Sequence, residues 1–577
     1  MRSAGAVLAF VVAVAGGPVL AQSYRVEIQA PDELARTLRQ GLNLARLQND
    51  AGIGPERLKR LLEEAAREAR EVAATEGYFS ARVSTRIDEA TQPRTAHLAV
   101  EPGSRTRVTA VTIRFRGAAA EDPEAREALE RVREGWRLRP GQPFRQADWQ
   151  EAKRVAVREL ARWRYAAAAI GESQALVDPN ARSAALSVEI ASGPPFRFGP
   201  LRVSGNRRYP DAVIENLSPV RPGEPYDRDK LLLYQRRLLE TGYFASVQMD
   251  IDAQPHEAEA ATLRVAVLEA PSQNVETGIG YTTDAGPRFE LSYGNQDLRD
   301  SAWRFKSALV LDEKIQNLQL NLALPPRPGA RWNSLFAHAR QTDIQNESTR
   351  ELAAGLAHNF GREAEPSALI VSGHLEEQSL AGGLTDNRQA LYFGYRHTFS
   401  RTDDFISPRS GYLGSFELGG APPELSTRQF LRAVGSASLF FPLGRSNDLL
   451  LRAQAGSVIA QARSGIPTSF LFRTGGDQTV RGYAFESLGV RQGEAVLGGR
   501  RLAVGSVELI HWVRENWGVA AFVDAGNAWD QGVEFNAAVG VGVGARFRTP
   551  IGPIRADLAY GEEVDSFRLH FSVGYSF

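Results

Sequence analysis

The 577-residue chain has no cysteine, which excludes disulfide frameworks, thiolate metal sites and thiol nucleophiles. Neither sign of charge is in excess, with 68 basic against 68 acidic residues, so no overall field draws the chain to nucleic acid. Histidine is scarce, at eight residues. His-Glu-x-x-His, Gly-x-Ser-x-Gly and Walker motifs are all missing, so no catalytic set, cofactor or metal is expected. Beyond the N-terminus no stretch reaches the roughly 18 apolar residues of a membrane-spanning helix. A membrane form of this chain would have to cross with strands.

At the N-terminus, Arg2 precedes an apolar run over 4–14, followed by Gly16-Gly17-Pro18-Val19-Leu20-Ala21. Compact residues at Val19 and Ala21 predict a cleaved export signal over 1–21. The length of the remainder calls for several domains.

Residues 22–271 mix helical and strand patterns. A helix is expected over 34–47 and another over 55–74, the second burying Leu58, Leu61, Leu62, Ala65, Ala69 and Val72 along one face. Strands alternate at 81–87 and 97–101. The order then recurs. Gly77-Tyr78-Phe79 has a counterpart in Gly242-Tyr243-Phe244, with Tyr165 between them, and Arg139-Pro140-Gly141-Gln142-Pro143-Phe144 is matched by Arg221-Pro222-Gly223-Glu224-Pro225-Tyr226. A period of roughly 80 residues marks tandem modules. Pro-Gly makes a turn and the aromatic anchors the helix that follows. Three modules of strand, helix, helix, strand, strand are predicted, over 22–104, 105–194 and 195–271, as an array rather than one globule.

From 272 to 577 no amphipathic helix is apparent. Short alternating runs, for example 275–281, 332–341, 391–398, 430–441 and 449–462, are separated by Gly-, Asp-, Asn- and Pro-rich turns. Sixteen strands fit, at about 19 residues per strand and connection, against the ~9–11 that a membrane strand needs. The fold class is therefore α+β tandem modules followed by a 16-stranded antiparallel transmembrane β-barrel. The last strand is the plainest. Phe567, Leu569, Phe571, Val573, Tyr575 and Phe577 alternate with Arg568, His570, Ser572, Gly574 and Ser576. Apolar residues face lipid and polar ones the lumen, and the C-terminal aromatic reads as an insertion signal.

The most pointed segment runs from 465 to 498, a long stretch between strands with Val480-Arg481-Gly482-Tyr483 at its centre. Loops of this length are usually functional. In 518–526, Val519, Ala521 and Val523 alternate with Phe522 and Asp524. A carboxylate within a membrane span must face the lumen and needs a cation there. Arg481 is the candidate, because a guanidinium grips a carboxylate with two parallel bonds and keeps its charge. Gly540, Gly542 and Gly544 alternate on the next strand. Three poor strand formers in a row predict a wall approached by another backbone, that of the loop. Glu508 is a further candidate lumenal charge.

The modules resemble POTRA domains. An export signal, three such modules and a barrel together are similar to the TamA subunits of the translocation and assembly module, within the BamA superfamily. Val480 to Tyr483 resembles the inward-folding sixth extracellular loop of that superfamily. Phe522-Val523-Asp524-Ala525-Gly526 resembles its Phe-x-Asp-x-Gly strand, Gly542 to Arg546 resembles the following strand, and 403–411 resembles a further turn segment. The resemblance implies that Asp524 holds Arg481 as a lumenal latch and that the first and last barrel strands meet at a weak lateral seam. Gly278 and Gly280 would weaken the first strand. It also implies outer-membrane residence with the modules in the periplasm, a TamB-like inner-membrane-anchored partner, and outer-membrane protein substrates such as autotransporters. Contact with outer-membrane lipid follows as well. Two-partner secretion and TamB-coupled phospholipid transport are the alternatives. Neither implies an enzyme.

Overall fold

The computed structural model describes residues 24–573 apart from 51, 363–364, 382, 384, 405–406 and 550–553. The expected export signal and two positions of the insertion signal, Tyr575 and Phe577, lie outside the described residues, as does the side chain of Val573. Two compact units are distinguished: residues up to Gly199 with Pro222–Arg228 and Asp252–Ala261, and the remainder through the barrel.

The first module contains β1 (Tyr24–Gln29), α1 (Asp32–Gly41), α2 (Asn43–Arg46), α3 (Pro55–Thr75), β2 (Arg82–Asp88) and β3 (Arg94–Glu101). The sheet order is β1-β3-β2, with β1 parallel and β2 antiparallel to β3. Helix α3 begins with Pro55 in its first turn and buries Leu58, Leu62, Ala65, Ala69 and Ala73. These positions are three and four apart, so they form one stripe. Leu61 and Val72, expected on that stripe, lie at its edge and are only partly buried. The helix expected over 34–47 is broken. Leu42 takes an extended conformation between α1 and α2, and the break lets both Leu42 and Leu44 enter the core at 0% exposure. Burial of two leucines outweighs the continuity of one short helix.

The second module repeats the plan with β4 (Arg107–Arg116), α4 (Ala118–Glu121), α5 (Arg126–Glu134), α6 (Gln146–Leu160), β5 (Ala169–Asp178) and β6 (Ser183–Ala191), and the sheet order is β4-β6-β5. Tyr165 is fully buried and donates its hydroxyl to Asp122. Burial, and then that hydrogen bond, push its hydroxyl well above the usual tyrosine range. The third module has β7 (Phe198–Ser204), α7 (Asp211–Glu215), α8 (Arg228–Glu240), β8 (Phe244–Ile251) and β9 (Ala261–Glu269), in the order β7-β9-β8. Gly141 and Gly223 occupy the left-handed region that the Pro-Gly turns demand, at φ 89° and 88°. The matched aromatics Phe144 and Tyr226 are buried behind them.

Sixteen antiparallel strands close the barrel. The ascending and descending series starts with β10 (Gln273–Thr282), β11 (Gly286–Leu298), β12 (Trp303–Leu311), β13 (Ile315–Ala323), β14 (Arg331–Ile344) and β15 (Glu347–Arg362). It continues with β16 (Glu365–Leu380), β17 (Thr385–Thr402), β18 (Gly411–Ala421), β19 (Phe430–Pro442) and β20 (Asn447–Ile459). A small hairpin, β21 (Val490–Gln492) with β22 (Ala495–Leu497), lies in the loop that follows. The wall resumes with β23 (Arg501–Trp512), β24 (Trp517–Trp529), β25 (Ala538–Phe547), β26 (Ile554–Gly561) and β27 (Ser566–Val573). Outward positions carry exposed apolar side chains: Val519 and Val523 on β24, Val541 and Val543 on β25, Phe567 and Leu569 on β27. An exposed apolar band with charges turned inward is the pattern of a barrel solvated by lipid.

Residues Pro200–Arg221, Asp229–Ile251 and Thr262 onward of the third module belong to one unit with the barrel, joined at the turns between descending and ascending strands. The Tyr243 hydroxyl donates to the Ala302 carbonyl at 2.6 Å and Asn216 Nδ2 to the Pro326 carbonyl at 2.9 Å. Arg362 pairs with Glu240 at 2.6 Å. That end of the barrel therefore carries the contacts to Asn216, Glu240 and Tyr243, and the β20–β23 loop springs from the opposite end.

β15 and β16 are in register from Glu347↔Leu380 to Arg362↔Glu365 without a break. Among the described residues β10 and β27 share one register pair, Thr282↔Ser572.

Candidate functional site: a loop held inside the barrel

The loop between β20 and β23 has structure of its own. It contains a 3-10 turn at Thr468–Phe470 and the β21–β22 hairpin, and Val480, Arg481 and Tyr483 are at most 2% exposed. Its backbone thereby satisfies part of its own polar groups, as a segment withdrawn from water must.

Alternation on β24 turns Phe522 and Asp524 inward, and Asp524 is 0% exposed. Arg481 meets it with Nε at 2.7 Å from Oδ2 and Nη2 at 2.9 Å from Oδ1. The Arg481 backbone N–H also donates to Oδ2, at 3.1 Å, and Ser506 Oγ to Oδ1, at 2.6 Å. The guanidinium lies over the Phe522 ring, 3.3 Å from its centroid, a face that attracts cations. Its remaining nitrogen, Nη1, reaches Glu508 at 2.8 Å and Asp557 at 3.2 Å. Arg546 bridges the same two carboxylates, at 2.8 Å to Glu508 and 2.5 Å to Asp557. Arg481, Glu508, Arg546 and Asp557 thus form a closed ring of alternating charge, with Asp524 outside it on Arg481. Buried ions are tolerated only when paired and hydrogen-bonded in this way. Arg452 completes the surroundings by donating to Ser506 Oγ at 3.2 Å.

The glycines act differently from one another. A Cβ on Gly540 would stand 1.9 Å from the Arg481 carbonyl oxygen, so this glycine admits the loop backbone. Gly542 instead accommodates the Phe522 ring, and Gly544 the Asp557 carboxylate. The expectation that all three meet the loop backbone is corrected on that point: a lumenal glycine on β25 also makes room for neighbouring side chains. Gly526 packs against Ala503 and Val504 of β23. Gly482, at φ 95°, approaches the backbone of Tyr560 and Gly561 so closely that a side chain would not fit. The Tyr483 hydroxyl donates to the Val539 carbonyl and accepts from the Glu563 N–H, both at 3.1 Å. Val480 packs with Tyr483, Leu488 and Ala538.

A second anchor lies on the other wall and was not foreseen. Thr468 donates from its N–H and Oγ1 to Glu376, at 2.8 and 3.0 Å, and Ser469 Oγ to Glu351 at 2.7 Å. The Phe470 ring sits among His374, Tyr392 and Phe430, with centroids 4.7–4.9 Å away. Arg473 joins Glu347 on β15 to Glu486 of the loop, at 2.5 and 2.9 Å. The 403–411 segment contributes elsewhere: Arg409 pairs with Asp448 at 2.8 Å at the module-facing end, where Trp512 Nε1 donates to the same carboxylate at 2.6 Å. His570 was an expected inward position of the last strand, whereas Asp557, an inward position of β26, was not singled out in the sequence. Thr468 and Ser469, uncharged and in a loop, left no such signal.

A fold of tandem α/β modules joined to a closed 16-strand barrel, with a charged loop tip bound inside it, defines a class of membrane barrel. Residues 288–577 match the Omp85 superfamily domain and 196–269 the surface antigen variable number repeat, a POTRA domain. The chain belongs to the Omp85 superfamily. It is 24% identical over 504 residues to the outer membrane protein assembly factor BamA of Neisseria meningitidis, covering 79% of this chain and 61% of that one. To the BamA of Nitratidesulfovibrio vulgaris it is 23% identical over 419 residues, covering 65% and 50%. The chain thus spans between half and about three-fifths of these relatives. In structure it resembles BamA from Haemophilus ducreyi lacking POTRA domains 1–3, with a TM-score of 0.61, 14% identity, and coverage of 82% of this chain and 100% of that one. The barrel lies in the outer membrane and the modules in the periplasm.

Proposed function

We propose that the chain is an outer-membrane assembly and translocation factor, which inserts or secretes β-barrel proteins, autotransporters among them, through the seam between β10 and β27. The observation that carries this reading is the Arg481 tip of the β20–β23 loop, bound to carboxylates of three strands inside a closed 16-strand barrel of the Omp85 superfamily. Parting of β10 from β27 would free two strand edges, and unpaired edges are templates for an incoming strand. Arg481, with Val480, Gly482 and Tyr483, serves as a latch on Asp524 that holds the loop in the lumen, and Phe567, Leu569 and Phe571 present the last strand to lipid.

Three modules ahead of the barrel favour the TamA type, with a TamB-like inner-membrane-anchored periplasmic protein as partner. Capture of solubilised envelope proteins by the full chain tests this. Recovery of one very large periplasm-spanning protein supports the reading, and recovery of a secreted exoprotein supports two-partner secretion instead. Insertion is tested separately, by the rate at which an unfolded barrel protein acquires heat-modifiable mobility in vesicles with and without the chain. Equal rates would contradict it.

A further inference from the structure

The loop tip touches both sides of the seam. On β27, His570 is 1% exposed and its Nε2 accepts the Gly482 N–H at 3.0 Å. Because the amide is the donor, Nε2 carries the lone pair and Nδ1 the proton. Nδ1 points at Asp284 Oδ1, 3.6 Å away, in the turn between β10 and β11. Both atoms are buried, and neither has a hydrogen-bond partner. The other oxygen of Asp284 accepts the Asp477 N–H of the loop at 2.7 Å. A Cβ on Gly476 would stand 2.6 Å from that same oxygen, so the loop backbone packs directly on the turn. Nearby, the Thr283 N–H donates to the Phe571 carbonyl, and the Phe571 N–H to Thr283 Oγ1, each at 3.2 Å. Where the first and last strands meet at Thr282 and Ser572, the loop supplies side-chain and amide bonds to each side.

We propose that His570 and Asp284 are positioning residues of a clasp, which ties the docked loop to both edges of the seam so that release of the loop and loosening of the seam occur together. The seam strands gain from the clasp only while Gly482 and Asp477 are in place. Conversely, strands that part take His570 and Asp284 away from the loop. The inference rests on the reading of the seam as the working edge only for its consequence; the coupling is a property of the chain alone.

The absence of cysteine allows a clean test on the full-length protein in vesicles. Thr282→Cys with Ser572→Cys reports seam closure by the rate of disulfide capture, since directly opposed strand positions suit the bond. Val480→Cys, buried in the wild type, reports loop release by its rate of maleimide labelling. His570→Ala is expected to slow capture and speed labelling, each about tenfold, the size of one buried hydrogen bond. His570→Gln places an amide oxygen where Nε2 accepts and is expected to restore both rates. Asp284→Ala is expected to move both in the same direction as His570→Ala. If His570→Ala or Asp284→Ala moves one rate and leaves the other unchanged, or if His570→Gln restores neither while heat-modifiable barrel is retained, the clasp is overturned. Coupled changes in the two rates with undiminished insertion of a barrel protein would uphold the clasp and count against the seam as the route of insertion.

Discussion

The two walls of this barrel hold themselves together by different means. From β14 to β17 the strands are long and paired without interruption, and the loop rests on them through an aromatic cluster, the neutral donors Thr468 and Ser469 to Glu376 and Glu351, and the Arg473–Glu347 pair. From β23 to β27 the register runs shorten, and Thr282↔Ser572 joins β27 to β10. There the loop contributes Arg481, which binds three carboxylates from three strands, and Gly482, bound to His570. Backbone hydrogen bonds cannot be rearranged without taking the sheet apart, whereas a charged side chain can leave as one body. The wall from β23 to β26 thus takes its loop contacts mainly through one buried guanidinium shared among three strands.

Removing Arg481 should produce the largest effect. Arg481→Ala leaves Asp524, Glu508 and Asp557 short of a cation, and loss of one partner from a buried ionic set costs about 3–5 kcal/mol. The expected result is rapid labelling of Val480→Cys and strongly reduced insertion, with the barrel still heat-modifiable. Arg481→Lys should fail to rescue, since an ammonium cannot make the paired bonds to Asp524. Asp524→Asn comes next. It keeps one acceptor but loses the charge-assisted pair, about 2–3 kcal/mol by the same labelling measurement.

On the other wall, Thr468→Ala should cost about 1 kcal/mol, because Glu376 retains the Thr468 N–H. It should raise labelling of the 466–473 stretch and leave seam capture unchanged. A seam effect as large as that of Arg481→Ala would erase the contrast between the walls. The smallest effect belongs to Tyr165→Phe in the second module. The Tyr165 hydroxyl, more than the Glu124 N–H or Arg164, holds the Asp122 carboxyl below its usual range. A depressed carboxyl stabilises the fold above its unfolded value near pH 3.9 and loses that contribution as pH falls through the folded value. Thermal unfolding between pH 6 and 3 should therefore show Tyr165→Phe destabilised by about 1 kcal/mol at the upper end, converging on wild type at the lower.

How much of this was legible in the residues follows from what each part depends on. Strand count and facing came from strict alternation, as in Phe567 to Ser572, because lipid outside and water inside sort side chains residue by residue. Arg481 and Asp524 could be matched because an isolated carboxylate in a span demands a cation. The break at Leu42 could not be read, since it depends on what the α1–α3 packing leaves room for. Nor could the Thr468–Glu376 anchor, because a glutamate on the lumenal face of β16 looks like any other polar inward residue until a loop is laid against it. Gly542 and Gly544 announced close approach without saying by what.

The central claim, that the β10–β27 seam is the working edge, is tested most directly by closing it. With Thr282→Cys and Ser572→Cys oxidised to a disulfide, the chain in vesicles should insert barrel proteins at less than about a tenth of the reduced rate, the equivalent of at least ~1.4 kcal/mol, and reductant should restore it. Undiminished insertion by the fully oxidised protein would contradict the account.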